Sequence, residues 1–169
     1  MKVGIIGTGW IAEKAAITLN GLDNCEAYAV GSRQQETADA FAAKWNIPKA
    51  YGSYTELIAD KDIDLVYIGT PHSHHYDVTR QAIMAGKPCL VEKAFMANAT
   101  QAQDIIRLAH EKQVFLAEAI WTRYQPAVSN IIFTNTVRTL YIIRWNIKIM
   151  FLTIFYNKFG TIVTRFFFS

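Results

Sequence analysis

Gly7-Thr8-Gly9-Trp10-Ile11-Ala12 places small residues at the spacing G-x-G-x-x-A. In that spacing the first glycine allows a tight turn and the second lets the backbone approach a diphosphate. The small third residue lets a helix lie close on its strand. A helix starting here presents unpaired N–H groups and the positive end of its dipole to phosphate. The spacing alone also fits an ordinary glycine turn, so its surroundings decide. An apolar run precedes it and a one-faced helical pattern follows, which is the strand–turn–helix setting that a dinucleotide site requires. Gly7, Thr8, Gly9, Trp10 and Ile11 are therefore the expected cofactor-facing residues of this turn.

The adenosine end is read from the next strand. A carboxylate at its end would bond the ribose 2′-hydroxyl of NAD. The chain has Gly31-Ser32-Arg33 instead. A guanidinium can pair with a 2′-phosphate and stack on adenine, and Ser32 can donate a hydroxyl, so the pattern favours NADP over NAD. Ser32 also fits the N-cap of the following helix, with Gln35 completing a capping box. His72-Ser73-His74-His75 brings three imidazoles together, but no cysteine or carboxylate set accompanies them and adjacent histidines do not easily share one ion. No metal site is expected. Glu92-Lys93 ends a later apolar run, and on its own fits a surface ion pair at a strand end.

Alternating elements must position these groups. Short apolar runs over 3–6, 27–30, 64–69, 89–91 and 114–117 read as strands. Between them, Ala12, Ala15, Ala16 and Leu19, then Ala38, Phe41, Ala42 and Trp45, recur at helical spacing. A short helix is expected after Ser53, with Glu56 three residues on. Another should run from about 76 to 85 and stop at Gly86, and a third should follow Asn98, burying Ala102, Ile105, Ile106 and Ala109. Apolar strands alternating with one-faced helices predict an α/β fold, a doubly wound parallel sheet of the Rossmann type.

With the glycine turn, Ser32-Arg33, Thr70-Pro71 and Glu92-Lys93 in this order, residues 1–128 resemble the Gfo/Idh/MocA oxidoreductases. Glu118-Ala119-Ile120-Trp121-Thr122-Arg123 and Pro126 are most similar to the branch that contains trans-1,2-dihydrobenzene-1,2-diol dehydrogenase. The resemblance implies that Thr70, Pro71, His72 and His75 belong to a loop beside the cofactor's ribose and nicotinamide, with His74 near the nicotinamide face. It implies that Lys93 is the catalytic lysine, which binds the reacting hydroxyl and helps move its proton; partial burial beside the cofactor favours that role. Glu92 would orient the nicotinamide ribose or the lysine. Where the family typically has Glu-Lys-Pro, this chain has Glu92-Lys93-Ala94, losing a backbone restraint but keeping the functional groups. Trp121 is expected to face the nicotinamide or to serve as a core or lid aromatic. Arg123 is expected on a cofactor phosphate or a substrate oxygen. The activity implied is hydride transfer between nicotinamide and a sugar-like or diol CH–OH group; the alternative is a nucleotide-binding module without catalysis.

Composition separates the chain in two. Residues 1–118 carry 11 basic and all 14 acidic residues, whereas 119–169 carry six basic residues and no acidic ones. Residues 1–129 hold 21 alanines and 130–169 none. The segment 149–156 is uncharged and β-prone, an aggregation signature where exposed. Residues 129–169 are read as an atypical tail, the product of truncation or a frameshift, in place of the family's substrate domain and oligomer surface. The tail's six charges are scattered singly, which argues against a nucleic-acid or membrane arm. No uncharged apolar run reaches the roughly 18–20 residues of a membrane span. The opening residues lack a signal peptide's pattern, and Cys25 and Cys89 read as buried thiols of a reducing compartment, so a cytoplasmic location is expected.

Overall fold

Strands buried on both faces must satisfy their backbone groups laterally, and here they do so in one parallel sheet. The structure, a computed structural model, describes residues 1–120. The elements run β1 (Lys2–Ile6), α1 (Trp10–Asn20), β2 (Glu26–Gly31), α2 (Gln35–Trp45), β3 (Lys49–Tyr51) and α3 (Tyr54–Ala59). They continue as β4 (Leu65–Ile68), α4 (His72–Met84), β5 (Cys89–Glu92), α5 (Ala99–Lys112) and β6 (Leu116–Ala119). The strand order is β3-β2-β1-β4-β5-β6, with every pair parallel. The expected doubly wound Rossmann sheet is what forms.

The order reverses between β1 and β4, so loops after these neighbouring strands diverge and leave a crevice at their C-terminal ends. The register aligns those ends: Ile6 lies opposite Gly31 and Ile68, Ile68 opposite Val91, and Glu92 opposite Ala119. The turns beginning at Gly7, Ser32, Gly69 and Lys93 thus leave one edge of the sheet.

The helices cover the sheet with the stripes their spacing announces. Ala12, Ala15, Ala16 and Leu19 are buried in α1, and Ala38, Phe41 and Ala42 in α2, while Trp45 is half-buried. Leu19 is fully buried, and cutting it to alanine costs about 2–5 kcal/mol. Ser53 accepts from the Glu56 N–H at the start of α3, and Asn98 from the Gln101 N–H at the start of α5, as expected. In α5, Ile105 and Ala109 are buried, whereas Ala102 and Ile106 are half-buried. Cys25 and Cys89 are buried free thiols, and burial pushes the Cys89 thiol up.

Three elements differ from the sequence reading. β3 was not foreseen: its three half-buried residues on the sheet edge are too few to show alternation. α4 starts at His72, a turn before the expected start, because His75 and Thr79 occupy core positions of one stripe with Val78, Ala82 and Ile83. The stripe is helical in spacing but polar at two of its five positions. β6 begins two residues late, because the end of α5 uses Gln113, left-handed at φ 54°, and Val114, whose N–H donates to Ala109 O at 3.0 Å.

A polar network ties the loop before β4 to both ends of β3. Lys49 donates to Asp60 at 2.9 Å and to Asp62 at 3.3 Å, and the Tyr51 hydroxyl donates to Asp60 at 2.7 Å. Burial alone would raise the Asp60 carboxyl. Lys49, the Asp62 N–H and Tyr51 outweigh it and hold Asp60 at about 2.

Candidate functional site

The glycine turn has the geometry of an anion cradle. Gly7 sits at φ 108°, and a Cβ there would lie 2.9 Å from Gly69 O, so both conformation and packing require glycine. Its N–H donates to Gly31 O at 2.9 Å, tying the turn to the end of β2. Gly9 differs. It is the N-cap of α1 at φ −83° and ψ 179°, a conformation any residue adopts, and nothing lies within 4 Å of where its Cβ would be. The free fold has no need of glycine here, whereas a ligand backing onto the turn does.

Among the described residues no side chain caps α1, and its first intrahelical bond runs from Glu13 N–H to Gly9 O at 3.1 Å. The N–H groups of Trp10, Ile11 and Ala12 therefore point out of the helix end without intrahelical acceptors. Glu13 would oppose an anion in this first turn, but Lys44 holds its carboxylate at 2.6 Å. Thr8 and Ile11 are half-buried around the turn, and Trp10 is 69% exposed at its mouth.

At the end of β2, Ser32 is buried and its N–H donates to Tyr51 O at 3.0 Å. α2 begins later than a Ser32 cap requires: its N-cap is Gln34, so the Ser32 hydroxyl is not a capping group. Arg33 is exposed and forms no ion pair among the described residues.

After β4, Thr70 is buried and its hydroxyl has no hydrogen-bond partner among the described residues. A buried hydroxyl normally finds one, so this orphan at the crevice suits a ligand polar group. Pro71 caps α4 with φ −56° and ψ 146°, and His72, His74 and His75 lie in the helix's first turn rather than in a loop. His75 is fully buried. Its Nε2 lies 2.8 Å from Thr70 O, and its Nδ1 lies 3.0 Å from Ala94 O and 3.2 Å from Phe95 O. His72 Nε2 lies 2.9 Å from Lys93 O. Both rings thus face backbone carbonyls of the loop after β5, and His74 is exposed beside them. No group of three metal-binding side chains occurs among the described residues.

Glu92 is buried at the end of β5. One carboxylate oxygen accepts from the Tyr67 hydroxyl at 2.7 Å and the other from the Lys93 N–H at 3.1 Å. Burial, then the Glu92 charge, pushes the Tyr67 hydroxyl up, so it stays a donor. Lys93 itself is exposed, its ammonium without an ion pair among the described residues, and its peptide bond to Ala94 is cis. Tyr67 and Glu118, which accepts from the Phe95 N–H at 3.0 Å, are site residues that the sequence reading did not assign. The sequence signal for Tyr67 is a phenol inside the apolar run Leu65-Val66-Tyr67-Ile68, since a buried phenol needs a hydrogen-bond partner. Trp121, Arg123, the boundary at 128 and the atypical tail lie outside the described residues.

Among the described residues, one edge of the sheet therefore gathers an uncapped helix start, an open Gly9, an orphaned Thr70 hydroxyl, an unpaired Arg33 and a lysine on a braced loop. This donor set fits a dinucleotide: N–H groups for a diphosphate, a guanidinium at the adenosine end and hydroxyls for ribose.

Comparison with known proteins agrees. Residues 1–119 match the Gfo/Idh/MocA oxidoreductase family, NAD-binding Rossmann fold. D-xylose 1-dehydrogenase (NADP(+)) of Hypocrea jecorina is 43% identical over 138 residues, covering 75% of this chain and 35% of that protein. Trans-1,2-dihydrobenzene-1,2-diol dehydrogenase of Xenopus tropicalis is 41% identical over 132 residues, covering 77% and 40%. The crystal structure of KijD10, a 3-ketoreductase from Actinomadura kijaniata in complex with TDP-benzene and NADP, superposes with a TM-score of 0.73 at 27% identity, covering 78% and 42%. The chain thus spans about two-fifths of the length of these relatives. On the match over residues 1–119, the chain belongs to the Gfo/Idh/MocA oxidoreductase family.

Proposed function

We propose that this chain binds NADP in preference to NAD and presents it for hydride exchange with a CH–OH carbon of a sugar or diol. The observation that carries the reading is the glycine turn: Gly9 is a glycine that neither backbone conformation nor packing requires, beside three N–H groups without intrahelical acceptors. Trp10, Thr8 and Ile11 border the diphosphate, Ser32 and Arg33 take the adenosine 2′-phosphate, and Thr70, Pro71, His72, His75 and Glu92 shape the ribose and nicotinamide end. Trp121 and Arg123 are assigned to this end by the family resemblance alone. On sequence, residues 1–128 are assigned to the cofactor domain and 129–169 to the atypical tail.

When bound, nicotinamide supplies the hydride acceptor or donor. Lys93 supplies the proton chemistry: its Nζ holds the substrate oxygen, takes the hydroxyl proton as a neutral amine when the alcohol is oxidised, and returns it as an ammonium in reduction. Glu92 accepts from the backbone N–H of that lysine, so its side chain leaves from a held main chain. The named substrates of the relatives, D-xylose and a dihydrodiol, carry adjacent hydroxyls, the substrate class assigned to this site. The buried free thiols accord with a cytoplasmic setting. Among the described residues no helix is long and apolar enough to cross a membrane.

One observation favours a second reading, a nucleotide-binding module without turnover: Lys93 is exposed, and hydride transfer needs a substrate held with water excluded. Fluorescence titration of the purified chain with NADPH and NADH tests the first claim. Saturable binding with NADPH preferred is expected, and a folded chain that takes up neither nucleotide refutes it. NADPH turnover with xylose or a diol then separates the two readings.

A further inference from the structure

Residues 93–95 form no helix or strand, yet side chains hold most of their backbone. Glu92 accepts from the Lys93 N–H, Glu118 accepts from the Phe95 N–H, His72 faces Lys93 O, and His75 faces both Ala94 O and Phe95 O. His75 differs from the other three residues because its opposite edge meets Thr70 O, in the loop that carries the orphaned hydroxyl. It is fully buried, and both its ring nitrogens face backbone carbonyls. It spans the gap between the loops after β4 and β5, the two that must agree if one ligand is to touch Thr70 and Lys93 together.

We propose that His75 is a positioning residue for Lys93: in the tautomer that carries its proton on Nδ1 it donates to the Ala94 and Phe95 carbonyls and so ties the Lys93 loop to α4 beside the Thr70 loop, with His72 as an outer brace on Lys93 O. This rests on the assignment of Lys93 given above. In this chain the clamp stands at a loop whose residue 94 is alanine, where the family resemblance leads one to expect proline, so side chains rather than a pyrrolidine ring restrain the backbone.

The test separates the two edges of the ring. An asparagine amide reaches about where Nδ1 lies, and a glutamine amide about where Nε2 lies. Amide hydrogen exchange is read on the full chain without nucleotide, at Lys93 and Phe95, with Val66 as the sheet control because its N–H donates to Pro88 O at 2.8 Å. In His75→Asn the two loop amides should exchange within about twofold of the unsubstituted chain. In His75→Gln they should exchange about fivefold faster, the opening expected on losing one neutral hydrogen bond, while Val66 is unchanged. Equal loop exchange in the two variants overturns the proposal. So does faster exchange in the asparagine variant.

His72→Ala, at an exposed position where folding is not at stake, should speed the Lys93 amide in the same direction. An unchanged rate there overturns the proposal even if neither His75 variant folds. Acylation of Lys93 in the unsubstituted chain, with and without NADPH, reports on the underlying assignment. Absence of shielding by NADPH removes the role of Lys93 itself, whereas equal exchange in the His75 variants removes only the clamp.

Discussion

Replacing Gly9 and Gly7 by alanine, one at a time, should separate binding from stability. At Gly9 the backbone, φ −83° and ψ 179°, suits alanine, and the new methyl meets nothing within 4 Å. Alanine there gains about 0.4–1 kcal/mol through a less flexible unfolded chain. It loses a comparable few tenths or more because glycine is the better N-cap. The two nearly cancel, so the melting temperature of Gly9→Ala should stay within about 2 °C. The same methyl stands in front of the helix start and keeps a diphosphate from the N–H groups. Losing two charge-assisted hydrogen bonds there, at about 1.5 kcal/mol each, weakens binding by roughly a hundredfold.

Gly7→Ala should behave in the opposite way. It places a side chain at φ 108°, at about 1–2 kcal/mol, and a Cβ 2.9 Å from Gly69 O, which adds overpacking of about 1–2 kcal/mol. For a domain of this size the melting temperature should fall by about 10 °C. Differential scanning fluorimetry gives the stabilities. Energy transfer from tryptophan to NADPH gives the affinities, with Trp10 exposed at the first position of α1 as a reporter. If Gly9→Ala kept NADPH affinity within about threefold while folding normally, the diphosphate would not lie at this turn, and the reasoning from the open side of Gly9 would fail.

Arg33→Ala should weaken NADPH about tenfold or more and leave NADH unchanged, since only the 2′-phosphate is lost to a charged partner; paired titrations check this, and equal losses for both nucleotides would count against it. Added salt should erode the NADPH preference of the unsubstituted chain, because the exposed Arg33 is screened. Thr70→Val and Thr79→Val each remove a buried hydroxyl without a partner among the described residues and should each raise stability by about 1 kcal/mol in thermal melts. Only Thr70→Val should also weaken the dinucleotide, since Thr79 is fully buried within α4. Asp60 titrates at about 2 instead of its ordinary 3.8, so the unfolded chain binds its proton first as pH falls. The stabilisation is complete above about pH 4 and is lost as pH drops through about 2; screening at the Lys49 end limits it to about 1 kcal/mol. Acid melts of Asp60→Asn should therefore converge on the unsubstituted chain below about pH 2.5 and diverge above it.

The sequence shows an element wherever one residue's preference agrees with its place in the fold. Ala12, Ala15, Ala16 and Leu19 are apolar and face the sheet, so helical spacing reveals α1. Ser53 and Asn98 cap the helices that follow them because their acceptors reach an N–H three residues away, within the same short stretch of chain. Legibility fails where a residue answers to a distant partner. His75 and Thr79 fill a core stripe that spacing alone treats as polar, and this hides the first turn of α4. Lys49, Ala50 and Tyr51 become a strand only because Ala29, Val30 and Gly31 lie alongside.

The same division runs through the site. The glycine turn is local, and its chemistry is written in one hexapeptide. The setting of Lys93 is not: its neighbour Glu92 answers to Tyr67, 25 residues away, and its carbonyl answers to His72, 21 residues away. A lysine can therefore be identified from the pair Glu92-Lys93, but what aims it cannot. That aim is a product of the parallel register, which sets Ile68 beside Val91 and so brings the loops that follow β4 and β5 together. Mutations that disturb the aim should accordingly lie in α4 and β4 as often as beside Lys93 itself.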